Sequence, residues 1–204
     1  IATAVACRVL SVNPFDQPNV EAAKKAAREM MAVYGKEGAF PPEKADAAFG
    51  PIRLFGASGA TSPGAALAAF LDQAVAGSYA AIMAYVQPSA AVDEALAALR
   101  ARIRDRRRIA ATSGYGPRFL HSTGQLHKGD GGRGLFVQFT ADDARDAPIP
   151  DELGAAASAV TFGILKTAQA LGDRRALAAA GRPVLRFHLG GDPPGAIREI
   201  AAGL

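Results

Sequence analysis

A chain of 204 residues with half its residues apolar, one cysteine and no tryptophan can fill one generous core or two small lobes, and it cannot build an internal disulfide framework. The formal charge of +4 is concentrated in one run, RARIRDRRR at 100–108, with no nucleic-acid-binding signature beside it, so no nucleic-acid partner is expected. No signal-peptide pattern opens the chain and no apolar stretch suits a bilayer span, so no membrane partner is expected either. Together with the lone Cys7 this points to a reducing, cytoplasmic setting.

Ile1 to Val12 carries apolar residues at helical spacing and reads as a mostly buried helix that stops before Asn13-Pro14. Opening on Ile inside an alanine-rich run, the chain reads as a piece of a longer polypeptide. Asp16 or Asn19 is placed to cap a second helix, with Glu21 in its first turn, Lys24, Lys25 and Arg28 further on, and Gly35 as its stop. Residues 36–51 form a polar, Pro-containing connector. IRLFGA follows as a short strand, and a helix begins after Ser62-Pro63.

From Ser78 the pattern becomes regular. YAAIMAYV is a strand, Ser89 to Arg108 an amphipathic helix whose terminal arginines complement its dipole, and IAATSGYG a second strand. After a polar central segment, GLFVQFT is a third strand and ADDARDAPIPDEL an acidic loop. TFGILKTAQALGD and RRALAAAG read as two helices ending at glycines, PVLRFHLG as a fourth strand and GAIREIAAG as the closing helix. Strands alternating with helices predict an α/β fold: a doubly wound, mainly parallel sheet with helices on both faces, of flavodoxin-like type. The expectation is one domain over 1–204, made of a helical segment (1–50), a connector (51–77) and an α/β core (78–204).

The segment Gly114 to Lys128, GYGPRFLHSTGQLHK, packs two histidines, a Ser-Thr pair, a Gln, an Arg and a Lys into a short space. It reads as one wall of a site for a small polar, anionic molecule, against the plainer reading of a capped surface helix. There is no H-E-x-x-H and no P-loop pattern, and three histidines with one cysteine do not make a convincing metal set. GDGGRG precedes a strand instead of following one, which is the order of a turn and not of a dinucleotide fingerprint. No cofactor is expected. The remaining residues suit proton transfer on a phosphorylated sugar: Ser122 and Thr123 for the phosphate, a histidine or lysine to open the ring, and a carboxylate to move a proton between carbons.

NPFDQPNVEAAK resembles the phosphoglucose isomerase signature, aromatic-D-Q-x-G-V-E-x-x-K. GYGPRFLHSTGQLHKG, TFGILKTAQALGD and GRPVLRFHLG together resemble the carboxyl-terminal part of bacterial transaldolase and phosphoglucose isomerase fusion proteins. The resemblance spans nearly the whole chain. It implies a sugar-isomerase (SIS) type of fold and binding of the hexose 6-phosphates glucose 6-phosphate or fructose 6-phosphate. By it, Gln17 and Lys24 take the places of the family's Gln and Lys, the ring-opening histidine falls at His121 or His127, and Gln125 joins Ser122 and Thr123 on the substrate. Asn19 stands where the signature has Gly. The family's G-G-R-F-S and E-S-x-G-K segments, which carry an arginine and the proton-moving glutamate, are missing. The resemblance therefore implies a glucose-6-phosphate isomerase lobe with little or no catalysis alone, whose partner is the amino-terminal part of the same polypeptide, with a homo-oligomer possible. A sensing or interdomain assembly module of the same fold is the alternative.

Overall fold

The computed structural model describes all residues except Gln17 and Ala156, and all side chains except theirs and those of Pro18, Asn19, Val20, Ala22, Ala23 and His121. Its centre is a six-stranded sheet built from β1 (Ala47–Phe49), β2 (Ile52–Phe55), β3 (Tyr79–Tyr85), β4 (Ala110–Tyr115), β5 (Gly134–Thr140) and β8 (Val184–His188), in the order β1-β2-β8-β5-β3-β4. β3, β4, β5 and β8 run parallel, and the β1–β2 hairpin adds two antiparallel strands against β8. The chain is therefore a mixed, mainly parallel α/β sheet. Part of the connector thus belongs to the sheet, because Ile52, Leu54 and Phe55 of β2 are buried. A separate two-stranded pair, β6 (Pro148–Ile149) and β7 (Val160–Thr161), closes the acidic loop.

The helices are α1 (Ala2–Leu10), α2 (Pro18–Glu37), α3 (Pro63–Leu71), α4 (Ala90–Arg107), α5 (Thr123–Gly129), α6 (Phe162–Ala179) and α7 (Pro193–Ala202), with a 3-10 turn at Arg118–His121. Ser62, Ser89, Thr161 and Asp192 start four of them, each side chain accepting a backbone N–H that the first turn leaves unpaired. α3, α4 and α7 cover one face of the sheet, whose inward residues Ile82, Leu135, Val137, Phe139, Leu185 and Phe187 form a continuous apolar cluster with Leu67, Leu99 and Ile197. α5 and α6 cover the other face, and α2 packs across α6.

Three expectations fail here. α2 runs through Gly35, its expected stop, to Glu37, and the positive-φ glycine that follows it is Gly38. The segment TFGILKTAQALGD-RRALAAAG forms one helix, α6, which runs through Gly172 because that glycine meets α2: a Cβ there would lie 2.7 Å from the Ala27 nitrogen. A glycine inside a helix costs about 1 kcal/mol against alanine, and here it allows two backbones to approach. α1 forms as expected but buries none of its side chains. Val5, Val9 and Leu10 are exposed and Cys7 is half-exposed, since none of the described elements covers it.

Candidate functional site

Alternation along the parallel strands sends one set of side chains to the apolar cluster and the other toward α5 and α6. The register places the second set in three rows. Ala81, Phe136 and Val184 lie deepest; Met83, Gln138, Arg186 and Phe55 form the next row; Tyr85, Thr140, His188 and Arg53 form the row at the carboxyl ends of the parallel strands. Polarity thus rises along the strands, from an apolar floor to hydroxyl, imidazole and guanidinium at the rim. The carboxyl edge of an open parallel sheet is where such folds place ligands.

A cavity of about 500 Å³ opens at this edge, lined by Tyr85, Thr140, His188, Arg186, the Asp142–Asp143 pair, Asp146 and the first three turns of α6, with Phe40 as an apolar wall. Its size suits a small ligand. The Nε2 of His188 lies 3.2 Å from Asp142 Oδ1 and its Nδ1 3.2 Å from Thr140 Oγ1. Burial lowers the His188 pKa below the usual imidazole value; Arg53 and Arg186 add to this and Asp142 opposes it, so the ring is neutral at neutral pH. Arg186 stacks with its Cζ 3.8 Å from the Phe55 ring centroid and donates to Glu43, which also accepts from Arg174 at 2.7 Å. Burial lowers the Arg186 pKa to about 10, against the pull of Glu43 and with the help of Arg174. The 36–51 connector is thus tied to the cavity wall through Glu43.

Lys166 pairs with Asp143. Asp146 accepts from the Thr161 hydroxyl and from the Gly163 N–H at 2.8 Å, and the Thr161 hydroxyl is the first cause of its lowered pKa. Gly163 is required for that approach, since a Cβ would sit 2.5 Å from Asp146 Oδ2. The start of α6 is consequently already occupied by the chain's own carboxylate and hydroxyl. Both lining cations are already paired, which favours a ligand rich in hydroxyls over a bare anion. Among the described residues, no three His, Cys, Asp or Glu side chains are placed to hold a metal ion.

Beneath the rim lies a second polar set. Lys128 Nζ donates to Asp173 Oδ1 at 2.5 Å and to the Gly124 carbonyl at 3.2 Å, and the Tyr85 hydroxyl donates to Asp173 Oδ2 at 3.1 Å. Asp173 is 1% exposed and Lys128 5%. Burial raises the Asp173 pKa, opposed by Lys128. Arg182 donates to the carbonyls of Lys128 and Asp130, which secures the end of α5.

Among the described residues, those singled out in the sequence (Lys24, Ser122, Thr123, Gln125 and His127) do not line this cavity. Lys24 lies on the outer side of α2, its side chain 47% exposed and paired with Glu21 at 2.9 Å. His127 is 6% exposed, wedged between Phe119 and Phe136, and burial lowers its pKa to about 4. Its Nδ1 and the Oε1 of half-buried Gln125 are buried without a hydrogen-bond partner. Ser122 donates to the Phe119 carbonyl and is exposed, as is Thr123 at the start of the seven-residue α5. Gln17 and the side chain of His121 lie outside the described ones. The structure thus places Lys24 on the surface and His127 in the core. Thr140, Arg186 and His188 do not stand out in the sequence because they sit inside strands. The signal for them is the polar alternation in GLFVQFT and VLRFH.

No family model and no curated protein matches the chain. Among solved structures it is similar to a hypothetical protein from Thermus thermophilus, with 23% identity, a TM-score of 0.53 and 70% of this chain covered. That likeness shows the fold alone, and the chain spans 39% of the length of that structure.

Proposed function

We propose that the chain is a hexose-phosphate-binding lobe of the glucose-6-phosphate isomerase type, with an SIS or flavodoxin-like sheet, and that it belongs to a polypeptide that also carries a transaldolase. The observation that carries this reading is the cavity of about 500 Å³ at the carboxyl edge, where Thr140, Thr167, Asp142, Asp146 and His188 offer partners for sugar hydroxyls. The segments that resemble the phosphoglucose isomerase signature and the fusion proteins support the same substrate class. Lys166 is the cation nearest to hand for a phosphate, and it must leave Asp143 to reach one. Binding is therefore weak, with a Kd of about 1 mM, or roughly −4 kcal/mol. Without the family's proton-moving glutamate the lobe does not isomerise; loss of one such group costs about 10²- to 10⁴-fold. Calorimetry with fructose 6-phosphate tests the reading. Heat of binding that Lys166→Ala weakens, with no turnover in a coupled isomerase assay, is expected. Absence of any heat at about 10 mM sugar phosphate, roughly tenfold above that Kd, overturns it.

An interdomain assembly module of the same fold is the second reading. It is favoured by α1, whose Val5, Val9 and Leu10 stay exposed. Its proposed partner is the amino-terminal part of the same polypeptide. A chain that gives no heat with fructose 6-phosphate, and whose α1 gains protection from hydrogen exchange in the full-length protein, supports this reading instead.

A further inference from the structure

At the rim three side chains stand in the order hydroxyl, imidazole, carboxylate. Thr140 and His188 are register partners on adjacent parallel strands, so the pairing of β5 and β8 itself sets the distance of 3.2 Å between Oγ1 and Nδ1. Asp142 follows β5 by two residues and meets the other ring nitrogen at 3.2 Å. A carboxylate only accepts, so Nε2 carries the hydrogen. The neutral ring then has its lone pair on Nδ1, where it accepts the Thr140 hydroxyl proton. All three groups line the same cavity, and the ammonium of Lys166 and the guanidinium of Arg186 line it with them.

We propose that Thr140, His188 and Asp142 form an acyl-transfer site: Thr140 as the nucleophile, His188 as its base, and Asp142 as the positioning residue that fixes the ring. The substrate class is a small ester of a polyol or sugar, whose acyl carbonyl meets Thr140 Oγ1. In the first step the Thr140 oxygen bonds to the acyl carbon while its proton passes to His188 Nδ1. The ester C–O bond then breaks and the leaving alcohol takes that proton. Water completes the cycle, giving a proton to Nδ1 and its oxygen to the acyl group, and the carboxylic acid departs as the Thr140 oxygen recovers its proton. Lys166 and Arg186 are the nearby cations, and each reaches the developing oxyanion only by leaving its own carboxylate, Asp143 or Glu43. The groups facing His188 are Arg53 from β2, Arg186 from its own strand, Thr140 from β5 and Asp142 from the loop after β5.

The test uses a fluorophosphonate ester, in which attack forms an O–P bond and expels fluoride, followed by peptide mapping. A single adduct on Thr140 is expected. Its rate should rise with pH through a midpoint below the usual imidazole value of about 6.5, and it should fall by about 100-fold or more in Thr140→Val and His188→Gln. Asp142→Asn should slow labelling and change the pH profile, with the fold unchanged by circular dichroism. An unlabelled wild-type chain, an adduct elsewhere, or a Thr140→Val variant labelled as fast as wild type overturns the proposal. A chain that binds fructose 6-phosphate yet takes no label keeps the sugar reading and loses this one.

Discussion

The two faces of the sheet are built by the same strands and stabilised in different ways. Toward α3, α4 and α7 every buried strand residue is apolar, from Ile82 through Val137 to Phe187, and the interaction is close packing. Toward α5 and α6 the same strands bury Gln138, Arg186 and, through Tyr85, the Lys128–Asp173 pair. Buried charges are costly to desolvate and are tolerated only when partnered, so this face depends on individual pairings. The first face tolerates loss of volume gradually. The second responds sharply to loss of one partner and recovers when the other is removed as well.

Several measurements break or sharpen this contrast. Lys128→Met leaves Asp173 buried without its cation and should cost about 3–5 kcal/mol in urea unfolding, whereas Lys128→Met with Asp173→Leu should regain most of that. If the double variant is no more stable than the single one, the pair is not the unit it is taken to be. On the apolar face, Phe187→Ala should cost a similar ~3–5 kcal/mol by transfer and cavity formation, with no second substitution that restores it simply by removing a partner.

The pH dependence separates the faces further. His127 takes its proton near pH 4 in the folded chain and near 6.5 when unfolded. Between those values the unfolded state binds more protons, so stability is intact above 6.5 and is lost as pH falls toward 4, by roughly 3 kcal/mol. A His127→Phe variant should flatten that part of the profile, and an unchanged slope would show that His127 is not its source. Gly172→Ala, which thrusts a methyl at Ala27, should cost about 1–3 kcal/mol by parting α2 from α6. Ser89→Ala, which removes the cap of α4, should cost about 1 kcal/mol in thermal unfolding.

The alternating strands and helices were legible because period-two runs such as GLFVQFT and capped helices such as Ser89 onward carry their structure locally. The parallel order and the two-sided cover follow from that alternation. Gly172 misled because a stop and a close approach use the same residue, and only the position of α2 tells them apart. α1 misled because an apolar helical period states what should be covered and not what covers it. The central histidine segment attracted attention through its density of polar side chains, yet His127 and Lys128 turn inward. The rim row draws one residue from each of several strands, so its members lie far apart in the chain and come together only through register.

That register has a practical corollary. Thr140 and His188 are neighbours for the same reason that Phe139 and Phe187 are. Sliding β8 by one position would turn the imidazole into the greasy layer and a benzyl group into the mouth of the cavity. Hydrophobic sorting therefore aligns the reactive groups without any of them having to hold the sheet together. An engineer is free to rewrite positions 140 and 188 for another chemistry and leave the scaffold beneath them standing.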